Sequence, residues 1–268
     1  MARVVASLHD FDVLYSCRHE WKLDYRALDS YTYFNTDARI CNELDIPLGR
    51  YYNSSWKVTK MEEMTIKILV LLAFAAHLVL WRCDWIITCL DGGRFGIGDV
   101  KDNEKLSGVI KNTPLKKPMI SIVLGAFAMT AAFPGYLALC EWMRQYSVTA
   151  AALMLAGSIL FLLPGIAHHV FCGVIEWFYI RLGKTEEARQ SILEFFKSTS
   201  VTMYVCYLGL LLFVGALFAA IVTGATPLPR WACVFNTLPL FLILSPFRIV
   251  GTGNVANATM MLALFFLL

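Results

Sequence analysis

His168, His169, Cys172 and Glu176 have side chains that can do chemistry, and they lie within a single apolar tract. At 3.6 residues per turn, their spacing places all four on one helical face about 100° wide. A histidine and a carboxylate on one face can transfer protons, bind a cation or anchor a polar ligand. As metal ligands they would be poorly arranged, because His169 and Glu176 would stand about 10 Å apart along the helix axis. The sequence therefore predicts no metal site and no cofactor.

Two interpretations of this face are open on the sequence alone. In one, the two histidines end a membrane span at the cytoplasmic interface, and Glu176 lies in water beyond it. In the other, the face lines a polar pocket between helices, because ionisable groups inside a bilayer are costly unless they face the interior of the bundle. Pro164 and Gly165 interrupt the same tract, and this interruption is compatible with either depth.

A second group of polar residues surrounds Arg248, where proline, glycine and asparagine interrupt an apolar run over 245–257. This composition predicts a helix break between two half-spans, with Asn254 opening the next helix. Arg248 near that helix N-terminus would suit an anionic group. The alternative is a tight turn at the cytoplasmic face, where an arginine is expected. Asp84, at the end of the first apolar tract, is a further candidate.

Together these residues define one candidate ligand pocket. Its predicted lining residues are His168, His169, Cys172, Glu176, Asp84, Arg248, Asn254 and Asn257. We expect the lipid bilayer as the partner and a small apolar or anionic molecule as the ligand. The net charge of +3, without a clustered basic face, argues against a nucleic-acid partner. The sequence leaves the oligomeric state open.

The composition indicates that membrane-spanning helices position these residues. Of the 268 residues, 58% are hydrophobic and 16% are charged, whereas soluble domains have about 25% charged residues. A soluble protein of this size could not cover so much apolar surface. The expected fold class is an all-α polytopic membrane helix bundle with five spans and a short sixth, since about 20 apolar residues cross a bilayer. The predicted spans are Thr65–Leu90, Pro118–Met143, Val148–Ile180, Val201–Val222, Trp231–Ile249 and Val255–Leu268.

The stretch 184–197, between the third and fourth spans, predicts a short amphipathic helix. Thr185 is a suitable N-cap, and the two glutamates that follow it suit the first turn. Ile192, Phe195 and Phe196 fall on one side of such a helix. That side either lies on the membrane surface or packs against the bundle.

Loop charges predict the orientation of the bundle. The loops after the first and third spans contain ten Lys and Arg residues, and those after the second and fourth contain only Arg144 and Arg230. The first pair of loops should therefore face the cytoplasm. Residues 1–60 are polar and lack a signal peptide, so we expect them to be a poorly structured extension from a mis-assigned start, with the bundle formed by 61–268. The alternative is that 1–60 stay cytoplasmic and the topology is inverted.

Several segments resemble a known family. They are GIAHH at 165–169, EWFY at 176–179, MYVCY at 203–207, PLPRWACVFN at 227–236 and PFRIVGTGN at 246–254. Over about residues 64–268 the chain resembles a family of uncharacterised bacterial multi-spanning membrane proteins, defined only as a domain of unknown function. The resemblance implies a small helical bundle in the bacterial inner membrane. It implies no activity and no catalytic residues.

Three functions are compatible with these features. The first is binding or transport of a small molecule through a polar pocket between helices, which the ionisable residues inside the apolar tracts favour. The second is a membrane enzyme that acts on a lipid or sterol-like substrate. The third is a structural or assembly subunit without a ligand. A closed lipid-like cavity holding both His169 and Glu176 would favour the enzyme, a water-filled path would favour transport, and no cavity would favour the third.

Overall fold

The computed structural model describes residues 61–268. The predicted N-terminal extension, residues 1–60, lies outside the described part of the chain. The described residues form an all-α fold, as the sequence predicts, together with one short β-hairpin whose two strands have two residues each.

Four long apolar helical stretches dominate the fold. The longest helices are α1 (Glu63–Thr88), α3 (Lys116–Arg144), α4 (Val148–Arg181) and α6 (Val201–Val222). Each of these stretches is long and apolar enough to cross a membrane, the last one together with the short helix that precedes it. Their positions follow the first four predicted spans. The third tract, for which the sequence favours a kinked helix or a span with an interfacial segment, is one α-helix of 34 residues with Pro164 inside it.

Two connections lie at the same end of the bundle. A hairpin and a short helix connect α1 to α3, and a second short helix connects α4 to α6. Strands β1 (Cys89–Leu90) and β2 (Gly93–Arg94) are followed by a 3-10 turn at Ile97–Lys101 and by α2 (Asn103–Val109). Helix α5 (Glu186–Thr199) is the predicted amphipathic helix. The side chain of its N-cap, Thr185, accepts a hydrogen bond from the backbone N–H of Ala188.

The apolar side of α5 packs against the protein. Ala188 and Ile192 are buried in a small core with Leu106, Ile110 and Tyr179. Of the two positions expected for this helix, on the membrane surface or against the bundle, the contact corresponds to packing against the bundle.

The fifth predicted span is not one continuous helix. It consists of a 3-10 turn at Arg230–Phe235, the short helix α7 (Thr237–Leu244) and a second 3-10 turn at Ser245–Phe247. Asn236 separates the first two pieces because it caps α7, its side chain accepting from the backbone N–H of Leu238 at 2.9 Å. The last helix, α8 (Thr252–Leu267), has 16 residues.

The packing order of the helices brings distant parts of the chain together. Helix α1 packs against α3 and α8, and α4 lies against α3 and α6. The main core therefore contains side chains from α1, α3, α4, α6 and α8. Polar side chains of these helices also contact one another where the helices pack together.

Candidate functional site

His77 of α1 is at the centre of a buried polar network. Its side chain is fully buried. Nδ1 lies 2.9 Å from Oδ1 of Asn254, and Nε2 lies 2.8 Å from the hydroxyl of Tyr136. An amide oxygen only accepts hydrogen bonds, so Nδ1 donates to Asn254 and Nε2 accepts from Tyr136. The network thus fixes one neutral tautomer of His77 and joins α1 to α3 and α8.

Asp84 lies two helical turns further along α1 and contacts the start of α8. Asn254 Nδ2 donates to Asp84 Oδ2 at 2.8 Å. A Cβ on Gly251 would stand 2.8 Å from the same oxygen, and Gly251 has a φ of +66°, so this position needs glycine. The carboxylate of Asp84 therefore lies against the N-terminus of α8, where the helix dipole stabilises a negative charge.

His169 of α4 reaches the same region from the opposite side. Its Nε2 lies 3.0 Å from the backbone oxygen of Ser121, and its Nδ1 lies 3.9 Å from Oδ1 of Asp84. The ring fits because residue 125 of α3 is glycine: a Cβ there would stand 2.1 Å from Nε2 of His169. His169 and Asp84 thus form a close pair between α1 and α4.

This pair lines a cavity of about 380 Å³, which we call the Asp84 cavity. Its polar wall includes Asp84, His169, Asn254 and Asn257. The remaining wall is mostly apolar and aromatic. These residues include Leu80, Met129, Phe161, Met203, Tyr207, Leu210 and Phe241.

A second cavity, of about 450 Å³, lies beside it and contains Glu176 in its wall; we call it the Glu176 cavity. The Glu176 side chain is only 7% exposed. Its Oε1 has no hydrogen-bond partner among residues 61–268. The position of Glu176 in this structure is therefore not the solvated one of the interfacial interpretation.

His168 and Cys172 line both cavities, as do Ile87 and Thr88. The sulfur of Cys172 lies 3.6 Å from Nε2 of His168. The two cavities therefore adjoin along one face of α4.

Arg248 lies in neither cavity wall. It sits in an exposed turn with a φ of +50°, and its backbone oxygen accepts from Nη1 of Arg94 at 2.7 Å. This placement corresponds to the alternative expectation, a tight turn. Asn257 is buried, and its Oδ1 accepts from the hydroxyl of Thr237 at 2.8 Å.

The structure thus brings six of the eight predicted residues to the Asp84 cavity and places a seventh in the adjoining one. The six are Asp84, His168, His169, Cys172, Asn254 and Asn257. Their role in ligand binding stays a prediction. Within residues 61–268, no group of three or more His, Cys, Asp or Glu side chains is arranged to hold a metal ion.

Sequence reasoning did not identify His77, Tyr136 or Ser121. The signal for His77 was present, because it is an ionisable residue in the middle of the first apolar tract. Tyr136 and Ser121 carried no such signal, since hydroxyl residues are common in apolar helices. Only the packing of α3 against α1 and α4 gives them their partners.

Comparisons with known proteins identify the family of this chain but assign it no function. No curated protein and no solved structure matches the chain. A model described as "Family of unknown function (DUF6796)" matches residues 57–268. With that match covering most of its length and the whole helical bundle, the chain belongs to the DUF6796 family of unknown function.

Proposed function

We propose that this protein is an integral protein of the bacterial inner membrane that binds a small molecule in the Asp84 cavity between its helices. The observation that carries the proposal is the Asp84–His169 pair, 3.9 Å apart in the wall of that cavity. Ionisable groups within apolar spans usually face a binding site or a polar path, because burying them without such a role is costly. A cavity of about 380 Å³ falls in the range typical of small-molecule sites.

The proposed topology has six crossings. Four are the long helices, the fifth is the broken segment 230–247, and the sixth is α8. Helix α8 runs antiparallel to α1 along its length: Gly251 lies beside Asp84, and Leu267 lines a cavity with Met61. By this topology the hairpin, α2 and α5 lie on the cytoplasmic side, and the positive charges of their loops support this orientation.

Transport is supported by the contact between the two cavities. Because His168, Cys172, Ile87 and Thr88 line both, a ligand could pass along α4 from the Glu176 cavity to the Asp84 cavity. The Glu176 cavity is bordered by α2 and α5, which belong to the proposed cytoplasmic side. This arrangement supports movement of the ligand between that side and the interior of the bundle.

The second candidate, a membrane enzyme acting on a lipid or sterol-like substrate, has weaker support. An imidazole beside a carboxylate can transfer protons. The condition that favours an enzyme, however, is one closed cavity containing both His169 and Glu176, and these residues line different cavities. The third candidate, a subunit without a ligand, gains no support from a bundle that contains the Asp84 and Glu176 cavities.

Mass spectrometry of the purified protein tests the proposal. The full chain, extracted in a mild detergent and washed, should release a small molecule or lipid in stoichiometric amount on denaturation. The variant Leu210→Trp, which fills the Asp84 cavity, should release much less of it than Leu211→Trp, whose exposed side chain lies outside the cavity wall. Equal release from both variants, or none from the unmodified protein, would contradict the proposal.

A further inference from the structure

We infer that the Asp84 cavity selects a protonated amine with a compact apolar body. This inference rests on the proposed function, since it names the chemical class of the ligand that the cavity binds. It also replaces the expected anionic ligand, because that expectation depended on Arg248, which lies outside the cavity.

The hydrogen bonds of His169 determine what its ring presents to Asp84. The Ser121 hydroxyl donates its only proton to the backbone oxygen of Cys83, at 3.0 Å. Nε2 of His169 faces the backbone oxygen of Ser121 at 3.0 Å and this hydroxyl oxygen at 3.3 Å, so it has acceptors on both sides. Nε2 must therefore carry the proton. In the neutral ring, Nδ1 is then an unprotonated acceptor directed towards Asp84.

A second acceptor, Oδ1 of Asp84, lies near Nδ1 of His169. The Oδ2 atom of Asp84 is occupied by the amide of Asn254, and its Oδ1 lies 3.9 Å from Nδ1 of His169. That separation is too long for a direct hydrogen bond. It suits a third group that donates to both atoms, each over about 2.8–3.0 Å. A primary ammonium has three donors and can make both bonds.

The charge of the cavity favours the same ligand. When its carboxyl is ionised, Asp84 supplies a negative charge to the cavity, and none of the described residues that line the cavity is Lys or Arg. The N-terminus of α8 contributes about half a positive charge, which Asp84 more than balances. An ammonium ion is thus electrostatically favoured, and a carboxylate ligand would meet Asp84 as a like charge.

The rest of the wall suits the apolar body of such a ligand. Phe161, Tyr207 and Phe241 contribute aromatic rings, which bind both apolar groups and cations. Tyr207 and Phe241 are also exposed on the outer surface, at 59% and 42%. The side of the cavity between α6 and α7 is therefore its more open side.

Three probes of matched shape test the ligand class on the full chain in lipid nanodiscs. They are 2-phenylethylamine, 2-phenylethanol and phenylacetate, with binding measured by calorimetric titration at pH 7. The amine should bind at least tenfold more tightly than the alcohol, and the carboxylate should bind more weakly than both. The inference is overturned if the alcohol or the carboxylate binds as tightly as the amine, or if the amine does not bind.

Matched variants locate the amine. Asp84→Asn keeps the size of the side chain and removes its charge, so it should weaken amine binding at least tenfold. Asp91→Asn makes the same chemical change at an exposed residue outside both cavities and should leave the affinity unchanged. Equal affinities of the two variants would place the amine elsewhere and overturn the inference.

Nitrogen-15 NMR of histidine-labelled protein gives a readout that does not depend on the folding of any variant. Without ligand, His169 should show a protonated Nε2 and an unprotonated Nδ1. A doubly protonated ring would mean that the histidine itself neutralises Asp84, and the inference would fail. The proposed function would survive that result if a co-purified molecule were still lost from Leu210→Trp.

Discussion

The imidazole of His77 and the hydroxyl of Tyr136 form a 2.8 Å hydrogen bond between two side chains that are both fully buried. The bond joins the middle of α1 to α3. Because Asn254 occupies the other ring nitrogen, the same imidazole also ties α8 to this pair. Three helices that are distant in sequence are thus linked through one side chain in an apolar core.

Tyr136→Phe tests the energetic value of this bond. The change removes the only donor that residues 61–268 provide to Nε2 of His77 and leaves a buried acceptor without that partner, which costs about 1–3 kcal/mol of stability. The free energy of unfolding, measured by titration with a denaturing detergent, should fall by that amount. Tyr146→Phe is the control, because Tyr146 is 41% exposed. An equal loss of unfolding free energy in both variants would show that the buried hydrogen bond makes no contribution of its own.

Gly125→Ala should displace His169. A methyl group at this position would stand 2.1 Å from Nε2, so the ring must move away from Ser121 and Asp84 or the helices must separate. Such overpacking costs about 1–3 kcal/mol. Unfolding measurements should show this loss.

Gly215→Ala is the matched control for that variant. A Cβ on Gly215 of α6 meets nothing within 4 Å, and alanine stabilises a helix interior by up to about 1 kcal/mol relative to glycine. Its stability should be unchanged or slightly higher. Equal free energies of unfolding for the two alanine variants would contradict the close contact between Gly125 and His169.

Glu176→Met should raise the stability of the protein. The side chain is 7% exposed, and its Oε1 is unpartnered within residues 61–268. Methionine has a similar length and removes the cost of burying an unsatisfied polar group, about 1–3 kcal/mol. Thermal unfolding without added ligand should show a higher midpoint for Glu176→Met. The control is Glu194→Met, at an exposed position of α5, which should change the free energy of unfolding by less than about 0.5 kcal/mol. A lower midpoint for Glu176→Met would mean that the carboxyl has a stabilising partner.

Cysteine labelling in intact cells tests the topology. In a background without the native cysteines, Lys111→Cys and Ser191→Cys should react with an impermeant maleimide only after the membrane is permeabilised, because both loops carry the positive charges that remain inside. Gln145→Cys, in the short connection between α3 and α4, should react from outside. The reverse pattern would show that the bundle is inverted.

Much of the architecture followed from local features of the chain. Apolar tracts of sufficient length placed α1, α3, α4 and α6 close to their observed ends, since the length of a spanning helix depends on its own composition. Thr185 marked the start of α5 because an N-cap acts within one helical turn. Polar residues inside or beside apolar tracts also made Asp84, His169 and Asn254 individual candidates for a site, a role that stays a prediction.

The assembly of these residues into a site depended on tertiary structure. Helical periodicity placed His169 and Glu176 on one face, but the helices around α4 separate them into two adjoining cavities. Arg248 was expected to suit an anion because it lies near a helix start, but it occupies an exposed turn and lines neither cavity. His77 acquires its partners only where α3 and α8 pack against α1, because hydrogen bonds between helices depend on side chains far apart in the sequence. The sequence by itself therefore determined which segments are apolar helices, and only the packing of those helices decided which polar side chains face one another.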